Sequence, residues 1–280
     1  MPAKLKSVIQ IIRPVNILIS FFSIVVACLI CSKDQSGLNP LEILYAALSG
    51  SIIAAAGNVI NDILDLGIDR INRPHRVLPS GKMSIKEAYI IYLGLNLSAI
   101  FLAGHLSGPA FLIVVVSAFI VFFYSLSFKK MPLFGNIVVA LMTALTFIFG
   151  GVVVGNLAAA IIPAAFAFIV NLIREIIKDI EDIEGDSKNS VITFPAKYGV
   201  SAAITIVVAL TSILFVLTFI PFVLNYYKIE YFVIVMISVN LISVYFLKSL
   251  LKDQSKKNLG QLSALLKVGM VCGLLALYLG

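Results

Sequence analysis

The chain has 280 residues, 60% of them hydrophobic and 12% charged. That balance excludes a soluble globular domain, whose helices carry a polar face opposite the apolar one. The net charge of +7 comes without a stripe of Lys and Arg interleaved with aromatics, which sets nucleic acid aside; positive charge on the cytoplasmic loops of a membrane protein accounts for it.

A membrane helix takes about 20 mainly apolar residues. In chain order, nine segments reach or approach that length: Val15–Cys31, Leu41–Leu64, Ile85–Leu106, Pro109–Leu126, Leu133–Val154, Leu157–Ile177, Val200–Ile220, Tyr231–Leu247 and Leu262–Leu279. Lys4, Lys6 and Arg13 precede the first, and Val25-Val26-Ala27-Cys28 has a look of a lipoprotein cleavage site. Because the rest of the chain is polytopic, the first helix is expected to be retained. The ninth carries Lys267 near its start, where a long stem can snorkel to the interface. Cys28, Cys31 and Cys272 lie inside these runs and read as small packing residues, not as disulfides.

Charge tests the count independently. With the N-terminus in the cytoplasm and sides alternating, all 21 basic residues except Lys33, Lys228 and Lys267 fall on the cytoplasmic side. A missed or extra helix would scramble that separation. The expected architecture is an all-α integral membrane protein of about nine transmembrane helices around a central cavity, with the C-terminus outside. The two long cytoplasmic loops, Asp65–Ser84 and Lys178–Gly199, are too short for separate soluble domains, so residues 1–280 are expected to form one membrane domain.

The acidic residues are sparse and uneven. Of fourteen, nine fall into two short stretches, each at the cytoplasmic end of an apolar helix. Asn58, Asp62, Asp65 and Asp69 stand at 0, +4, +7 and +11, and Glu175, Asp179, Asp182 and Asp186 repeat the pattern. At 3.6 residues per turn each set lines one helix face, with Gly67 and Gly185 as the weak points. Stacked like charges repel and are costly to desolvate near a bilayer, so each stripe needs a partner. Magnesium, held by a few carboxylates together with substrate phosphates, fits. His75 and His105 are isolated and no Cys lies near them, so no zinc site is expected. Glu181 and Glu184 point off the stripe and read as solvated.

Cations in the same loops suit a diphosphate: Arg73, Arg76 and Lys82 after the first stripe, Lys129 and Lys130 after Tyr124, Arg174 and Lys178 within the second. Arg70 and Lys86 read as positive-inside anchors. There is no P-loop, Rossmann glycine fingerprint or nucleophile elbow. The chemistry on offer is metal-assisted departure of a phosphate leaving group inside an apolar pocket.

Asn61-Asp62-Ile63-Leu64-Asp65-Leu66-Gly67-Ile68-Asp69 matches the NDxxDxxxD motif of the UbiA superfamily of intramembrane prenyltransferases, and Asp182-Ile183-Glu184-Gly185-Asp186 its DxxxD motif. Arg13-Pro14, and Asn72-Arg73-Pro74 leading into Leu78-Pro79-Ser80-Gly81, also resemble the family. The family's YxxxK is one residue longer here, Tyr124 to Lys129, which leaves Lys129 and Lys130 both open for the lysine role. Within the superfamily, the run Arg174 to Asp186 is most similar to archaeal digeranylgeranylglyceryl phosphate synthases.

The resemblance implies geranylgeranyl diphosphate as donor, geranylgeranylglyceryl phosphate as a lipid-like acceptor and Mg2+ as cofactor. It implies that the stripes face each other across the cavity on the cytoplasmic side of the cell membrane. Asn61, Asp65 and Asp69 would bind one magnesium and Asp182 and Asp186 another, with Asp62 and Asp179 touching metal directly or through a neighbour. Arg76, Lys82, Tyr124 and Lys129 would neutralise the diphosphate, Asn58 would belong to the same binding face, and Arg73 or Lys130 would take the acceptor phosphate. The allylic cation so formed would be kept from water by a dry, Phe-rich interior. Two rivals stand beside this reading: a related enzyme prenylating an aromatic acceptor or haem, and a transporter with a carboxylate-lined cation site. Transporters usually place such charges at membrane depth on broken helices in inverted repeats, whereas here both stripes sit at helix ends in the same orientation.

Overall fold

The computed structural model describes residues 3–33, 39–183 and 193–280, and among them every regular element is a helix. Nine spans among the described residues are long and apolar enough to cross a membrane. Phe22, Leu97, Phe101, Phe119 and Val216 are each more than half exposed. Water would punish such a surface, but lipid accepts it. The chain separates into two compact units, Met1–Lys129 with Thr146–Ala160, and Lys130–Leu145 with Ile161–Gly280.

The first unit begins with a helix the hydropathy pattern does not announce, α1 (Ala3–Ile12). It stops at Arg13, which takes a left-handed backbone conformation with φ 56°. Helix α2 (Pro14–Cys31) starts on Pro14, a residue with no N–H to lose at a helix start. Helix α3 (Pro40–Leu64) is capped by Asn39, whose side chain accepts from the Leu41 N–H at 3.1 Å. A short helix α4 (Leu66–Asn72) follows directly. Helix α5 (Ile85–Ala103) opens on a reciprocal capping box between Ser84 and Glu87, and α6 (Gly108–Leu126) follows. Helices α7 (Phe134–Val153) and α8 (Leu157–Glu181) each contribute residues to both units.

Helix α3 is the centre of this unit and packs against α1, α2, α5 and α6. Small residues allow the close approach that holds helices together in lipid: Ala46, Ala47, Ala55 and Ala56 of α3 are buried. Gly150 lies so close to α2 that a Cβ there would sit 2.8 Å from backbone atoms of Ala27 and Cys28. Cys28 and Cys31 are buried free thiols, as packing residues should be. A separate apolar cluster at the other end of α3 joins Ile11 of α1 to Val59, Ile60 and Ile63 of α3 and to Val77, Leu78 and Met83 of the following loop.

The second unit contains α9 (Phe194–Tyr198), α10 (Val200–Leu217), α11 (Ile220–Val223), α12 (Ile229–Val235), α13 (Leu241–Lys252) and α14 (Lys256–Leu279). Its core gathers Ile173, Ile176, Ile177, Val207, Phe246, Leu250 and Leu262. The seventh span breaks at Thr218, ahead of Pro221. The eighth carries a π-turn over Met236–Asn240. These irregularities meet: buried Asn240 donates to Thr218 Oγ1 at 3.1 Å, and the Tyr231 hydroxyl donates to the Thr218 carbonyl at 2.9 Å. Polar groups freed at the break are thereby satisfied inside the bundle, as lipid requires. The ninth span begins at Lys256 rather than Leu262, so Lys267 is the twelfth helical residue and stands on an exposed face.

Candidate active site

The first carboxylate stripe bends at Asp65 rather than fraying at Gly67. Asp65 leaves helical geometry (φ −89°, ψ 2°). Backbone hydrogen bonds continue across it, Asp65 N–H to Asn61 O at 2.9 Å and Asp69 N–H to Asp65 O at 2.8 Å. The bend leaves Asp62 and Asp69 buried, each 5% exposed, so both need charged partners.

Arg76 supplies one. Its Nη1 donates to Asp69 Oδ2 at 2.6 Å and to Asp62 Oδ1 at 3.3 Å. The loop carrying it is a run of tight turns, Arg76 N–H to Arg73 O at 3.0 Å and Lys82 N–H to Val77 O at 3.1 Å. Val77, Leu78 and Met83 are driven into the apolar cluster under α1, and this tuck swings Arg76 back over the carboxylates. Gly81, at φ 71°, closes the loop where a side chain would be strained.

Lys129 supplies the second. It lies in a 3-10 turn after α6, over Phe128–Lys130. Its ammonium donates to Asn61 Oδ1 at 2.9 Å and to Asp65 Oδ1 at 2.5 Å. Lys130 next to it is exposed. Of the two lysines that spacing left open, Lys129 is the one on the carboxylates. Tyr124, one turn earlier in α6, is half-buried.

The third partner escaped the site list drawn from sequence. Arg13 donates to Asp62 Oδ1, in a short ion pair, and to Asn58 Oδ1 at 3.4 Å. Asn58 in turn donates to the Ile12 carbonyl at 3.0 Å. Both ends of the Asn58 amide are thus committed to the α1–α2 joint. The signal was the Arg13-Pro14 pair itself, noted as a resemblance but read only as part of the basic N-terminus.

The second stripe lies at the end of α8, in the other unit. Asp179 Oδ2 accepts from Asn136 Nδ2 of α7 at 2.9 Å. One helix turn deeper, Glu175 Oε1 accepts from Arg174 at 2.9 Å and from Lys178 at 3.1 Å. Asp182 begins a turn after the helix, 63% exposed, with Lys256 Nζ 3.9 Å away. Asp186 and Glu184 lie outside the described residues. Deeper still, buried Asn171 donates to Thr143 Oγ1 at 2.9 Å. With the Asn136 bond this makes a polar ladder between antiparallel α7 and α8.

Arg73, Lys82 and Lys130 are exposed and make no ion pair with any described residue. They are free to meet an anion.

In the first unit Arg13, Arg76 and Lys129 balance Asp62, Asp65 and Asp69 one for one. The repulsion within this first stripe is answered by the protein's own cations. Among the described residues, no three carboxylate, imidazole or thiolate groups converge tightly enough to hold a metal alone. Magnesium takes hard oxygen donors, keeps several waters, and is usually held by one or two carboxylates with substrate phosphates completing the shell. Asn61 Oδ1 and Asp65 Oδ1, gathered on one ammonium, are such donors.

Residues 20–269 match the UbiA prenyltransferase family. The chain is 35% identical over 272 residues to the digeranylgeranylglyceryl phosphate synthase of Methanosphaera stadtmanae, covering 97% of this chain and 98% of that one. It resembles a solved digeranylgeranylglyceryl phosphate synthase structure with a TM-score of 0.85 at 33% identity, covering 99% and 98% of the two chains. A UbiA homologue from Archaeoglobus fulgidus, solved with DMAPP and Mg2+, shares the fold with a TM-score of 0.76 at 20% identity, over 97% and 99% of the chains.

Proposed function

The chain belongs to the UbiA prenyltransferase family, and from that premise we propose that it transfers a geranylgeranyl group from geranylgeranyl diphosphate to the free hydroxyl of geranylgeranylglyceryl phosphate. It is a multi-pass membrane prenyltransferase. The observation that carries the reading is the Lys129 ammonium seated on Asn61 and Asp65. Hard oxygen donors stand ready at a membrane helix end, under a cation that a divalent metal can displace. The full-length relatedness to digeranylgeranylglyceryl phosphate synthases supports the choice of acceptor.

Asn61, Asp65 and Asp69 hold one magnesium in this reading, and Asp182 with Asp186 a second. The metal supplies Lewis-acid charge to the phosphate oxygens. Lys129, released from Asp65, turns to the diphosphate, where Arg76, Lys82 and Tyr124 also donate; fixed donors aimed at developing charge are worth most in a dry site. The allylic C–O bond to diphosphate breaks, an ether C–O bond to the acceptor forms, and the hydroxyl proton leaves with the departing anion. Exposed Arg73 and Lys130 suit the acceptor's phosphate. The chain acts as a single domain, with the chemistry facing the cytoplasm where its basic loops lie.

The test offers labelled geranylgeranyl diphosphate with the glyceryl ether phosphate, hydroxybenzoate, naphthoate or haem B, with and without EDTA. Transfer to the ether phosphate alone, lost in EDTA and in Asp65→Ala, is expected. Full activity in excess EDTA, or transfer to an aromatic acceptor instead, overturns the reading.

A further inference from the structure

We propose that Arg13 is a positioning residue for this reaction. From the joint between α1 and α2 it clamps Asp62, and so leaves Arg76 free to stay on Asp69 and to meet the departing diphosphate. The inference rests on the function proposed above.

Arg13 is held from both sides. Pro14 bars the residue before it from ordinary helical geometry, and Arg13 adopts φ 56°. A side chain stays in that region only when its surroundings over-determine it. Here Asn58 donates to the preceding carbonyl, Ile12 O, at 3.0 Å while its own Oδ1 faces Arg13. Ile11 is fully buried against α3. Helix α1 is thereby wedged onto α3, and the guanidinium is delivered to Asp62. A plain interfacial anchor would spread its charge among headgroups; the Arg13 side chain is 31% exposed and spends its fork on Asp62 and Asn58.

The consequence falls on Arg76. Arg13 and Arg76 converge on the same oxygen, Asp62 Oδ1. With Arg13 in place, Arg76 is 3.3 Å from Asp62 but 2.6 Å from Asp69. Without it, buried Asp62 has Arg76 as its remaining arginine and draws it off Asp69. Arg13 has no bond to Asn61, Asp65 or Asp69, so it acts through Asp62 and Arg76. Asp62 accordingly serves as a relay between two arginines rather than as a metal ligand.

The experiment compares wild type, Arg13→Gln, Arg13→Lys, Asp62→Asn and the Arg13→Gln/Asp62→Asn double variant in nanodiscs. It reads kcat, magnesium half-saturation, and the rise in unfolding midpoint caused by a non-reacting thiolodiphosphate analogue of the donor with magnesium. Arg13→Gln is expected to lower kcat about ten- to hundredfold, as small misplacements of a positioned group do, and to shrink the analogue's stabilisation. Arg13→Lys, which keeps the charge, recovers part of both. Because the two residues act as one unit, the double variant falls no further than the worse single. Asp62→Asn keeps the wild-type magnesium half-saturation.

Wild-type kcat and analogue stabilisation in Arg13→Gln, or losses that multiply in the double variant, overturn the inference. So does a large rise in magnesium half-saturation in Asp62→Asn, which would make Asp62 a direct ligand. If Arg13→Gln does not fold, Arg13→Lys and Asp62→Asn decide by the same readouts. A wild-type protein with no magnesium-dependent transfer defeats the functional reading; a wild type that transfers while Arg13→Gln equals it defeats only this inference.

Discussion

Replacing Lys129 with Met separates the two jobs assigned to it. The ammonium lies 2.5 Å from Asp65 Oδ1 and 2.9 Å from Asn61 Oδ1, with the lysine and aspartate side chains 16% and 20% exposed. Breaking a fully buried pair costs about 3–5 kcal/mol, and an exposed pair contributes about 0–1 kcal/mol. A pair this enclosed falls between, at about 2 kcal/mol. At roughly 2–4 °C per kcal/mol for a chain of this order of size, metal-free Lys129→Met should unfold about 4–8 °C below wild type. Saturating magnesium should close most of that gap, because the metal then neutralises Asp65. Turnover should stay about a hundredfold down, the scale of losing one donor to a developing anion. Buried Cys28 and Cys31 provide the assay: a thiol-reactive fluorophore reports unfolding as they become accessible. Lys130→Met, at an exposed position, is the stability control. An equal deficit with and without magnesium, or turnover restored by magnesium, would refute the reasoning.

Two further substitutions probe the scaffold. Asn136→Leu removes the donor at 2.9 Å from Asp179 and should lower stability by about 1–2 kcal/mol, the scale of losing one hydrogen bond to a carboxylate, read as the same unfolding midpoint. Gly150→Val puts a Cβ 2.8 Å from the α2 backbone at Ala27 and Cys28, which has no flexible end to yield. It should cost about 1–3 kcal/mol and speed thiol labelling of Cys28 in the folded protein.

The nine spans were legible because lipid imposes a length and a composition on each one, whatever its neighbours. Their starts were legible to within a residue where local chemistry decides them, as at Pro14 and Pro40 against the expected Val15 and Leu41. Boundaries that run into polar sequence were less so. Helix α8 runs on to Glu181 and α14 begins at Lys256, because a helix already nucleated continues into polar sequence at little cost. The breaks at Thr218 and at Met236–Asn240 were invisible, since they depend on Tyr231 and Asn240 reaching Thr218 from other turns of the bundle.

The carboxylates were legible for the same reason as the spans. Nine of fourteen acids crowded at two apolar helix ends are too costly to be incidental, and their helical spacing follows from the backbone alone. What answers their charge was not legible. Sequence spacing left a metal as the partner; packing brings Arg13 from 49 residues before Asp62 and Lys129 from 64 residues after Asp65. A side chain's reach is decided by how α1, the Val77–Met83 loop and the turn after α6 fold back onto α3. Covalent spacing therefore determined which groups carry charge and on which face they stand, while only the tertiary structure decided which charge meets which.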